Sequence, residues 1–461
     1  MREVILDSIE VPEFGKPSKE PRVPREEYER RISVTRETMN KKCLDALVVY
    51  SDREHSANLA FLCGYDPRFE ESLFVLRREG LPTLMVGNEG WGYADGVLQI
   101  QVEKMLVQCF SLIGQPRDRM KEPSLFMKEA GIRRGMKVGV IGWKYFTKAD
   151  FVNPTNALEI PSYLADALRE LVGPCGAVQN ANDILMDPDS GVRASNNVDQ
   201  IAAFEFAATV ASQGVREMTE QLQPGMTEYE AVQLMKLNGM PLSCHPMLCT
   251  GGRARYGLSS PSMKTIERGD PLTTALGLWG TLICRQGYVV EGENELSGIQ
   301  PRYLREVCAR YFSLVVDWYE SIGIGVTGGE IQDKVDAMGF PLTLNPGHLI
   351  HIDEWMSSPF YKGSKCTLKS GMAIQVDIIP RMPPGDFGSN VEDTIVIADE
   401  KLRQDLEEKY PETFNRIERR RNFITEVLNI KIKLEILPLS NYPAVLRPFL
   451  LDRNGVLKVI R

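Results

Sequence analysis

Short apolar runs that alternate with helix-like segments over Arg25–Leu185 constrain the fold of this chain more than any other feature of its sequence. The runs at Ala46–Tyr50, Ser72–Leu76 and Thr83–Val86 are bounded by turn residues and have the length of buried strands. Arg25–Asn40 has the spaced apolar residues of an amphipathic helix. This alternation predicts an α/β domain with a parallel or mixed sheet.

A segment rich in Asp, Ser, Gly and Asn, residues 186–197, marks the predicted boundary between two domains. Beyond it, a long helical segment at Val198–Leu222 is followed by a second helix and by strand-like runs. The same order of helices and strands comes again after Tyr303, which predicts an internal pseudo-repeat. We expect four parts in chain order: an N-terminal arm at 1–24, an α/β domain at 25–190, a second domain at 191–429 and terminal strands at 430–461.

Charge and hydropathy exclude several classes of protein. The chain has 461 residues and a net charge of -8, so it has no overall positive field that would attract nucleic acid or anionic lipid. No apolar run reaches the roughly 18–20 residues of a membrane span, and Met1–Pro17 lacks the apolar core of a secretory signal. The nine cysteines include no CxxC pair and indicate free thiols. We expect a soluble, cytoplasmic protein with no nucleic-acid or membrane partner.

Four segments, taken in order, resemble the creatinase/aminopeptidase P/prolidase family. They are the PGMTEYEA-containing stretch Val198–Ala231, the turn Glu267–Asp270, the pair Asn345–His348 and Leu368–Met372, and Asn390–Thr394. Each is short enough to occur by chance, but their order behind an N-terminal domain of the right size is specific. The resemblance covers roughly residues 25–451.

This resemblance implies a particular architecture. An α/β N-terminal domain would precede an α+β pita-bread domain, in which two αβ halves enclose a central pit. It also implies a homodimer, in which the N-terminal domain of one subunit helps to close the pit of the other. The bound partner would be a small-molecule substrate.

The resemblance also implies a set of metal ligands. In the peptidases of the family, two aspartates, one histidine and two glutamates hold two divalent ions that activate a bridging water. In this chain His348 corresponds to the histidine, Asp377 to the first glutamate as a shorter carboxylate, and Glu392 to the last glutamate. These three residues could hold one divalent ion weakly.

The two aspartates of that set have no counterpart here. Alignment to the family puts Ala275 at the first position and Cys284 or Gln286 at the second. The whole segment 271–290 contains no Asp or Glu. Hard cations require anionic oxygen ligands, so we expect no bridged metal pair and no resident cofactor.

The histidines fit neither sub-pattern of the family fully. Creatinase works without metal, because a histidine and glutamates activate water and move protons. Its pit histidine would fall near residues 257–259, where this chain has none, and His245 lies upstream. A second, substrate-facing histidine of the peptidases is also missing, because His351 is too close to His348 and Trp355 stands nearer the expected place.

Three arginines lie on segments that line the pit in the family: Arg253, Arg255 and Arg285. Guanidinium groups bind carboxylates in a bidentate manner, so these side chains could hold a carboxylate of the substrate. They could equally form structural ion pairs with Asp353, Glu354 or Asp393.

The remaining pit residues also leave alternatives open. Asp377 and Glu392, if close together, would push one pKa upward and leave an acid and a base near neutrality, unless they form ion pairs with the arginines. Cys249 and Cys284 could place thiols in the pit, although cysteine more often packs as a small apolar side chain.

The sequence therefore supports three functions. The first is a metal-independent, creatinase-like hydrolase that cleaves a C–N bond in a small carboxylate-bearing substrate. Its predicted catalytic residues are His348, Asp377 and Glu392, and its predicted substrate-binding residues are Arg253, Arg255, Arg285, His245 and Trp355. The second is an Xaa-Pro peptidase with a single metal ion. The third is a non-catalytic pita-bread protein that binds a ligand or partner, so enzymatic activity is left open.

Overall fold

The computed structural model describes residues 2–460, which divide into two compact units. The first unit comprises Val23–Ala194. The second unit joins residues 2–22 to residues 195–460, and its first strand, β1 (Val4–Ser8), comes from the N-terminal arm. The arm is thus a structural part of the second unit.

The first unit alternates strands and helices along the chain. Its strands are β2 (Ala46–Ser51), β3 (Ser72–Arg77), β4 (Thr83–Val86), β5 (Glu103–Leu106), β6 (Lys137–Ile141) and β7 (Ala177–Asn180). Its helices are α1 (Arg25–Lys41), α2 (Ala57–Cys63), α3 (Gly90–Val97), α4 (Pro123–Glu129), α5 (Ser162–Val172) and α6 (Asp183–Met186). Three of these strands, β2, β3 and β4, coincide to within a residue with the apolar runs in the sequence, because such runs are buried on both faces of a covered sheet.

These strands form one mixed sheet in the order β5-β4-β3-β2-β6-β7. The pairs β2–β3 and β3–β4 are antiparallel, and the other three pairs are parallel. Val48, Val75 and Val140 of the sheet pack with Phe126 and Leu168 of the helices in one buried core. The predicted α/β domain with a mixed sheet is confirmed.

The second unit contains the remaining elements. Its helices are α7 (Val198–Gln221), α8 (Glu228–Gln233), α9 (Ala309–Ser321), α10 (Gly328–Ala337), α11 (Glu400–Lys409) and α12 (Pro411–Asn422). Its further strands are β8 (Met247–Thr250), β9 (Pro271–Leu278), β10 (Thr281–Tyr288), β11 (His348–Leu349), β12 (Ala373–Gln375), β13 (Val391–Glu392), β14 (Thr394–Ile397), β15 (Ile436–Pro438) and β16 (Gly455–Val459). Within residues 2–460, no helix has the length and apolar composition that crossing a bilayer requires.

Two four-stranded antiparallel sheets form the body of this unit. One has the order β13-β10-β9-β8 and the other has the order β11-β12-β14-β15. Helix α7 contributes to the apolar cores of both, with Val215 and Met218 packed toward the first sheet and Ile201 and Phe204 packed toward the second. The long helix therefore holds the two sheets in one body.

The two halves of this unit repeat the same local structure. Thr227 and Thr327 each cap a helix, and each forms a reciprocal capping box with the glutamate three residues later. Each threonine also makes an isolated antiparallel bridge, Thr227 to Thr265 and Thr327 to Thr367. These matched features show the internal pseudo-repeat that the sequence indicates.

The turn between β9 and β10 fixes the register of their hairpin. Leu278 pairs with Thr281, so Trp279 and Gly280 alone form the turn. Gly280 has a φ of +96°, and a Cβ there would lie 1.9 Å from a ring carbon of Phe204. Only glycine combines this backbone conformation with such a close approach. The turn thereby decides which residues of the two strands face each other.

A buried ionic cluster ties α7 to α12. Glu205 is fully buried and its Oε2 lies 2.6 Å from Nη2 of Arg416, while its Oε1 lies 2.7 Å from Nη2 of Arg420. Burial acts to raise the pKa of Glu205, but the two guanidinium groups outweigh it and the pKa is lowered. The carboxylate is therefore charged and depends on both arginines.

Candidate active site

One row of buried side chains crosses the first sheet of the second unit. Glu392 on β13 pairs with Cys284 on β10, Cys284 pairs with Ala275 on β9, and Ala275 pairs with Met247 on β8. Directly paired residues of antiparallel strands lie on the same face of a sheet. The row therefore begins with a carboxylate and continues as an apolar surface.

The same register distinguishes Cys284 from Gln286. Ala275 faces Cys284 across the hairpin, whereas Gln286 faces Thr273 and donates a 3.1 Å hydrogen bond from Nε2 to the threonine hydroxyl. The pair opposite each other beside Glu392 is thus Ala275 and Cys284. Both side chains are buried in a small apolar cluster.

The second sheet brings His348 to the site. His348 begins β11 and pairs with Gln375 on β12, and Asp377 follows two residues beyond β12. Gln375 accepts a 2.7 Å hydrogen bond from the hydroxyl of Thr394 and donates to the carbonyl of Leu282 on the first sheet. This amide links the two sheets at the point where the site lies.

A tight loop folds back over His348. The Leu349 amide donates to the Ser357 carbonyl at 2.7 Å, which turns the intervening chain toward the histidine. As a result, Glu354 Oε1 lies 3.3 Å from His348 Nε2, and the Trp355 ring stacks on the imidazole at 4.1 Å between centroids. Trp355 is a predicted site residue, whereas the sequence predicts Glu354 only as a partner for arginines.

Three predicted residues are thus brought together: His348, Asp377 and Glu392. Each is at most 5% exposed. Asp377 Oδ1 and Glu392 Oε1 are buried and make no hydrogen bond within the described chain. Buried polar atoms in folded proteins almost always have partners, so unpaired ones indicate a place for a ligand or an ordered water. These oxygens point to a binding or catalytic role for the cluster.

Electrostatics separate the protonation states of these groups. Burial raises the pKa of Asp377 to about 6, against an opposing effect of His348. Burial, followed by the nearby Asp377 and Glu354 carboxylates, raises the pKa of Glu392 well above its usual range. For His348, burial opposes protonation, but Glu354 and then Asp377 outweigh burial and raise the pKa of the imidazole. The site therefore holds a base and proton donors together near neutral pH.

Arg285 does not face this cluster. It follows Cys284 on β10, and successive residues of a strand point to opposite faces of the sheet. Its Nη2 lies 3.0 Å from both carboxylate oxygens of Asp393, and its Nη1 donates to the Glu392 carbonyl at 2.9 Å. Arg285 is predicted to bind substrate, but its guanidinium group is buried in an ion pair with Asp393 and does not reach the cluster.

The other polar residues predicted to bind substrate also lie apart from the cluster. Arg253 donates to the buried Glu228 carboxylate at 2.9 Å and is held there as an ion pair. Arg255 is exposed, and its Nη2 lies 2.5 Å from the Gly385 carbonyl. His245 is exposed, with Nε2 2.9 Å from the Leu258 carbonyl. Of the arginines, only Arg255 keeps a guanidinium group open to a ligand.

The thiols have the environment of packed apolar side chains. Burial and then the Glu392 charge raise the pKa of Cys284 well above its usual range. Burial likewise raises the pKa of Cys249, whose Sγ lies 3.6 Å from the Arg253 carbonyl. Nucleophilic cysteines require a lowered pKa, so neither thiol has that property.

The donors present can be compared with the needs of metal ions. Ligand atoms of His348, Glu354 and Glu392 lie within 4.8 Å of one another, a spacing compatible with one cation. A bridged pair would need further oxygen donors from the facing strands. The side chains there are Met247, Ala275, Leu282 and Cys284, which offer no oxygen. The residues present therefore do not fit a bridged metal pair.

One protein family and several solved structures are similar to this chain. Residues 202–399 match the model of metallopeptidase family M24. The fold is similar to that of the prolidase from Pyrococcus horikoshii OT3, with 20% identity, a TM-score of 0.61 and coverage of 80% of this chain and 95% of that chain. It is also similar to the Xaa-Pro dipeptidase from Bacillus anthracis, with 17% identity, a TM-score of 0.58 and coverage of 81% and 96%. The His243Ala form of Escherichia coli aminopeptidase P gives 14% identity, a TM-score of 0.55 and coverage of 82% and 93%. No curated protein sequence matches the chain.

The fold and site thus define a pita-bread protein with an α/β N-terminal unit. Its segment 202–399 matches the model of metallopeptidase family M24, and its fold is similar to that of prolidases and aminopeptidase P, in line with the resemblance that its motifs predict. Hydrolysis is the class of activity that this family match supports.

Stability measurements can detect the raised pKa of Asp377. A carboxyl group whose pKa is raised on folding stabilises the protein below its unfolded pKa, and that stabilisation is lost as pH rises through the folded pKa. For Asp377 the stabilisation is lost between pH 3.8, the ordinary pKa, and pH about 6, the pKa in the folded protein. We expect Asp377→Asn to gain on the order of 2–3 kcal/mol over the wild type between pH 4 and pH 7, at about 1.4 kcal/mol per pKa unit.

Urea unfolding of both proteins in chelator-containing buffer measures this difference. Asp333→Asn, at an exposed aspartate of α10 in the same unit, is the matched control for the loss of one carboxylate. An Asp377→Asn difference that does not vary with pH would contradict the assigned shift.

Proposed function

We propose that this protein is a metal-independent hydrolase that cleaves a C–N bond in a small substrate. The observation that carries the proposal is the pair of buried, unpaired carboxylate oxygens of Asp377 and Glu392 beside His348. They face a wall in which Ala275 and Cys284 occupy the positions aligned with the two aspartates of the family. Such a site is equipped for proton transfer and lacks the donors for a bridged metal pair.

The pKa order of the three groups suggests a role for each. Asp377, with a pKa of about 6, is ionised at neutral pH and would accept a proton from the attacking water. The water oxygen bonds to the substrate carbon, and the carbon–nitrogen bond breaks. His348, held protonated by Glu354, would donate a proton to the leaving nitrogen. Glu392, held neutral by its raised pKa, would donate a hydrogen bond to the substrate oxygen.

Two of the three arginines predicted to bind a substrate carboxylate have other partners. Arg285 and Arg253 are engaged in ion pairs with Asp393 and Glu228. Arg255 is exposed and retains donors for a ligand carboxylate, but it lies apart from the cluster, so we assign no arginine to the substrate.

Metal content and chelator sensitivity test the proposal directly. Protein purified without affinity nickel should contain less than about 0.1 metal ion per chain, because the donor set holds a cation weakly. Turnover of amide, amidine and guanidino substrates should persist in excess chelator. Near-stoichiometric metal, or activity abolished by chelator and restored by a divalent ion, would contradict the proposal.

A second candidate is an Xaa-Pro peptidase with one metal ion. The clustering of ligand atoms from His348, Glu354 and Glu392 within 4.8 Å favours it, as does the fold shared with a Xaa-Pro dipeptidase. This candidate requires hydrolysis of Xaa-Pro dipeptides that manganese stimulates and chelator removes. Binding of amino-acid derivatives without turnover under either condition would instead indicate a non-catalytic binding protein.

A further inference from the structure

A second polar site lies in the same unit, outside the cluster of His348, Asp377 and Glu392. It is a cavity of about 740 Å³, and none of the three residues lines it. Its lining comes from three separate segments, residues 299–310, 339–341 and 381–386. A volume of this size is within the range of small-molecule sites, roughly 300–1,000 Å³.

The cavity concentrates positive charge on a chain that is acidic overall. Its lining includes Arg302, Arg310 and Arg381, against Glu306 and Asp386. Nη1 of Arg302 lies 2.9 Å from Glu306, which neutralises that pair. The whole chain carries a net charge of -8, whereas the charged side chains around this cavity are positive on balance.

Two of the guanidinium groups converge from different elements. Arg310 lies near the start of α9, and its guanidinium carbon is 5.3 Å from the centre of the Phe340 ring. Arg381 belongs to the segment 381–386, where its backbone amide donates to the Pro341 carbonyl at 2.7 Å. Contact with an aromatic face orients a guanidinium group. Both arginines are exposed, and neither forms an ion pair within residues 2–460.

The backbone along one wall is also unusual. Arg302 has a φ of +68°, a left-handed conformation that costs a non-glycine residue on the order of 1–3 kcal/mol. The residues that follow, Leu304–Cys308, form a turn of π-helix, and they carry Glu306 and Val307 into the cavity wall. Both features are more frequent at functional sites than elsewhere.

We propose that this cavity binds a small molecule with two anionic groups, carboxylate or phosphate, held by Arg310 and Arg381. Guanidinium groups match the planar donor geometry of both kinds of anion. The two arginines come from separate segments and line the same cavity, so a ligand with two charged groups can engage both. The proposal does not depend on the activity assigned to the cluster of His348, Asp377 and Glu392.

Isothermal titration calorimetry with citrate and with pyrophosphate tests this site on the full chain. We expect saturable binding of at least one probe with one site per chain, and the tighter probe identifies the anion class. Arg310→Gln or Arg381→Gln should each weaken binding about tenfold or more, the effect of losing one charge-assisted contact. Both positions are exposed, so the variants should retain the wild-type fold.

Arg305→Gln is the matched control, because Arg305 is an exposed arginine of the same π-helical turn that does not line the cavity. This variant should bind like the wild type. Two results would overturn the proposal: no saturable binding of either probe at low salt, or equal weakening by Arg305→Gln and the two cavity variants.

Discussion

Replacing His348 with alanine is expected to lower kcat about 10²–10⁴-fold, the usual contribution of a positioned proton donor. His348 is fully buried, and its Nε2 faces the Glu354 carboxylate at 3.3 Å, which favours the protonated imidazole that the mechanism requires. Steady-state kinetics with any C–N substrate that the wild type turns over measures the effect. Turnover by the variant within threefold of the wild type would remove His348 from the mechanism.

Two companion variants make that measurement specific. His55→Gln changes a histidine of the first unit and provides the comparison for the loss of an imidazole outside the cluster. Glu354→Gln removes the carboxylate that raises the pKa of His348, so it should move the alkaline limb of the pH profile to lower pH. A uniform loss of rate without that shift would assign Glu354 a structural role only.

Glu205→Gln is expected to destabilise the second unit by about 3–5 kcal/mol, the usual cost of breaking a buried ion pair. Glu205 is the anion shared by two buried arginines, at 2.6 Å from Arg416 and 2.7 Å from Arg420. Removing its charge leaves two guanidinium groups in the protein interior without their counter-ion. Urea unfolding monitored by tryptophan fluorescence reports the change.

An exposed pair of the same unit provides the comparison. Lys401 and Asp405 are one helical turn apart on α11, and Asp405→Asn should leave the unfolding midpoint where it is. Replacing the whole buried cluster with apolar residues, Glu205→Leu with Arg416→Met and Arg420→Met, should recover part of the lost stability. If Glu205→Gln unfolds like the wild type, the cluster does not hold α7 to α12.

The sequence predicts the fold and three site residues because those depend on patterns that a single chain carries. Apolar runs identify the strands of the α/β unit, and His348, Asp377 and Glu392 stand in motifs with a fixed order. These three do meet in one buried cluster. Motif order locates residues on strands, and antiparallel register then brings them together.

Other parts of the site depend on contacts that the sequence does not display. Glu354 reaches His348 because Leu349 and Ser357 close a loop between them, and no local motif marks that closure. Arg285 sits beside a pit residue in sequence, yet strand alternation turns it to the opposite face, toward Asp393. The alternation of side chains along a strand could have predicted this orientation, because neighbouring residues such as Cys284 and Arg285 point to opposite faces of β10.

The basic cavity could not be predicted from the sequence either. Its arginines, Arg302, Arg310 and Arg381, are separated by up to 79 positions and come together only through the packing of three segments. The π-helical turn at Leu304–Cys308 arises inside a segment whose pattern predicts an ordinary helix. The spacing of apolar residues in a sequence identifies a helix with 3.6 residues per turn. It does not reveal a single inserted residue that turns one part of the helix into a π-helix.

The matched capping boxes at Thr227 and Thr327 show that the second unit is built from two copies of one local design. Each copy caps its own helix, and β13 of the second copy pairs with β10 of the first, so the two copies meet at the site. The copy that begins at Thr227 presents alanine and thiol at the centre, while the copy that begins at Thr327 supplies histidine and carboxylates. The duplication thus supplies two walls of similar local structure and different chemistry, one apolar and one that carries ionisable groups.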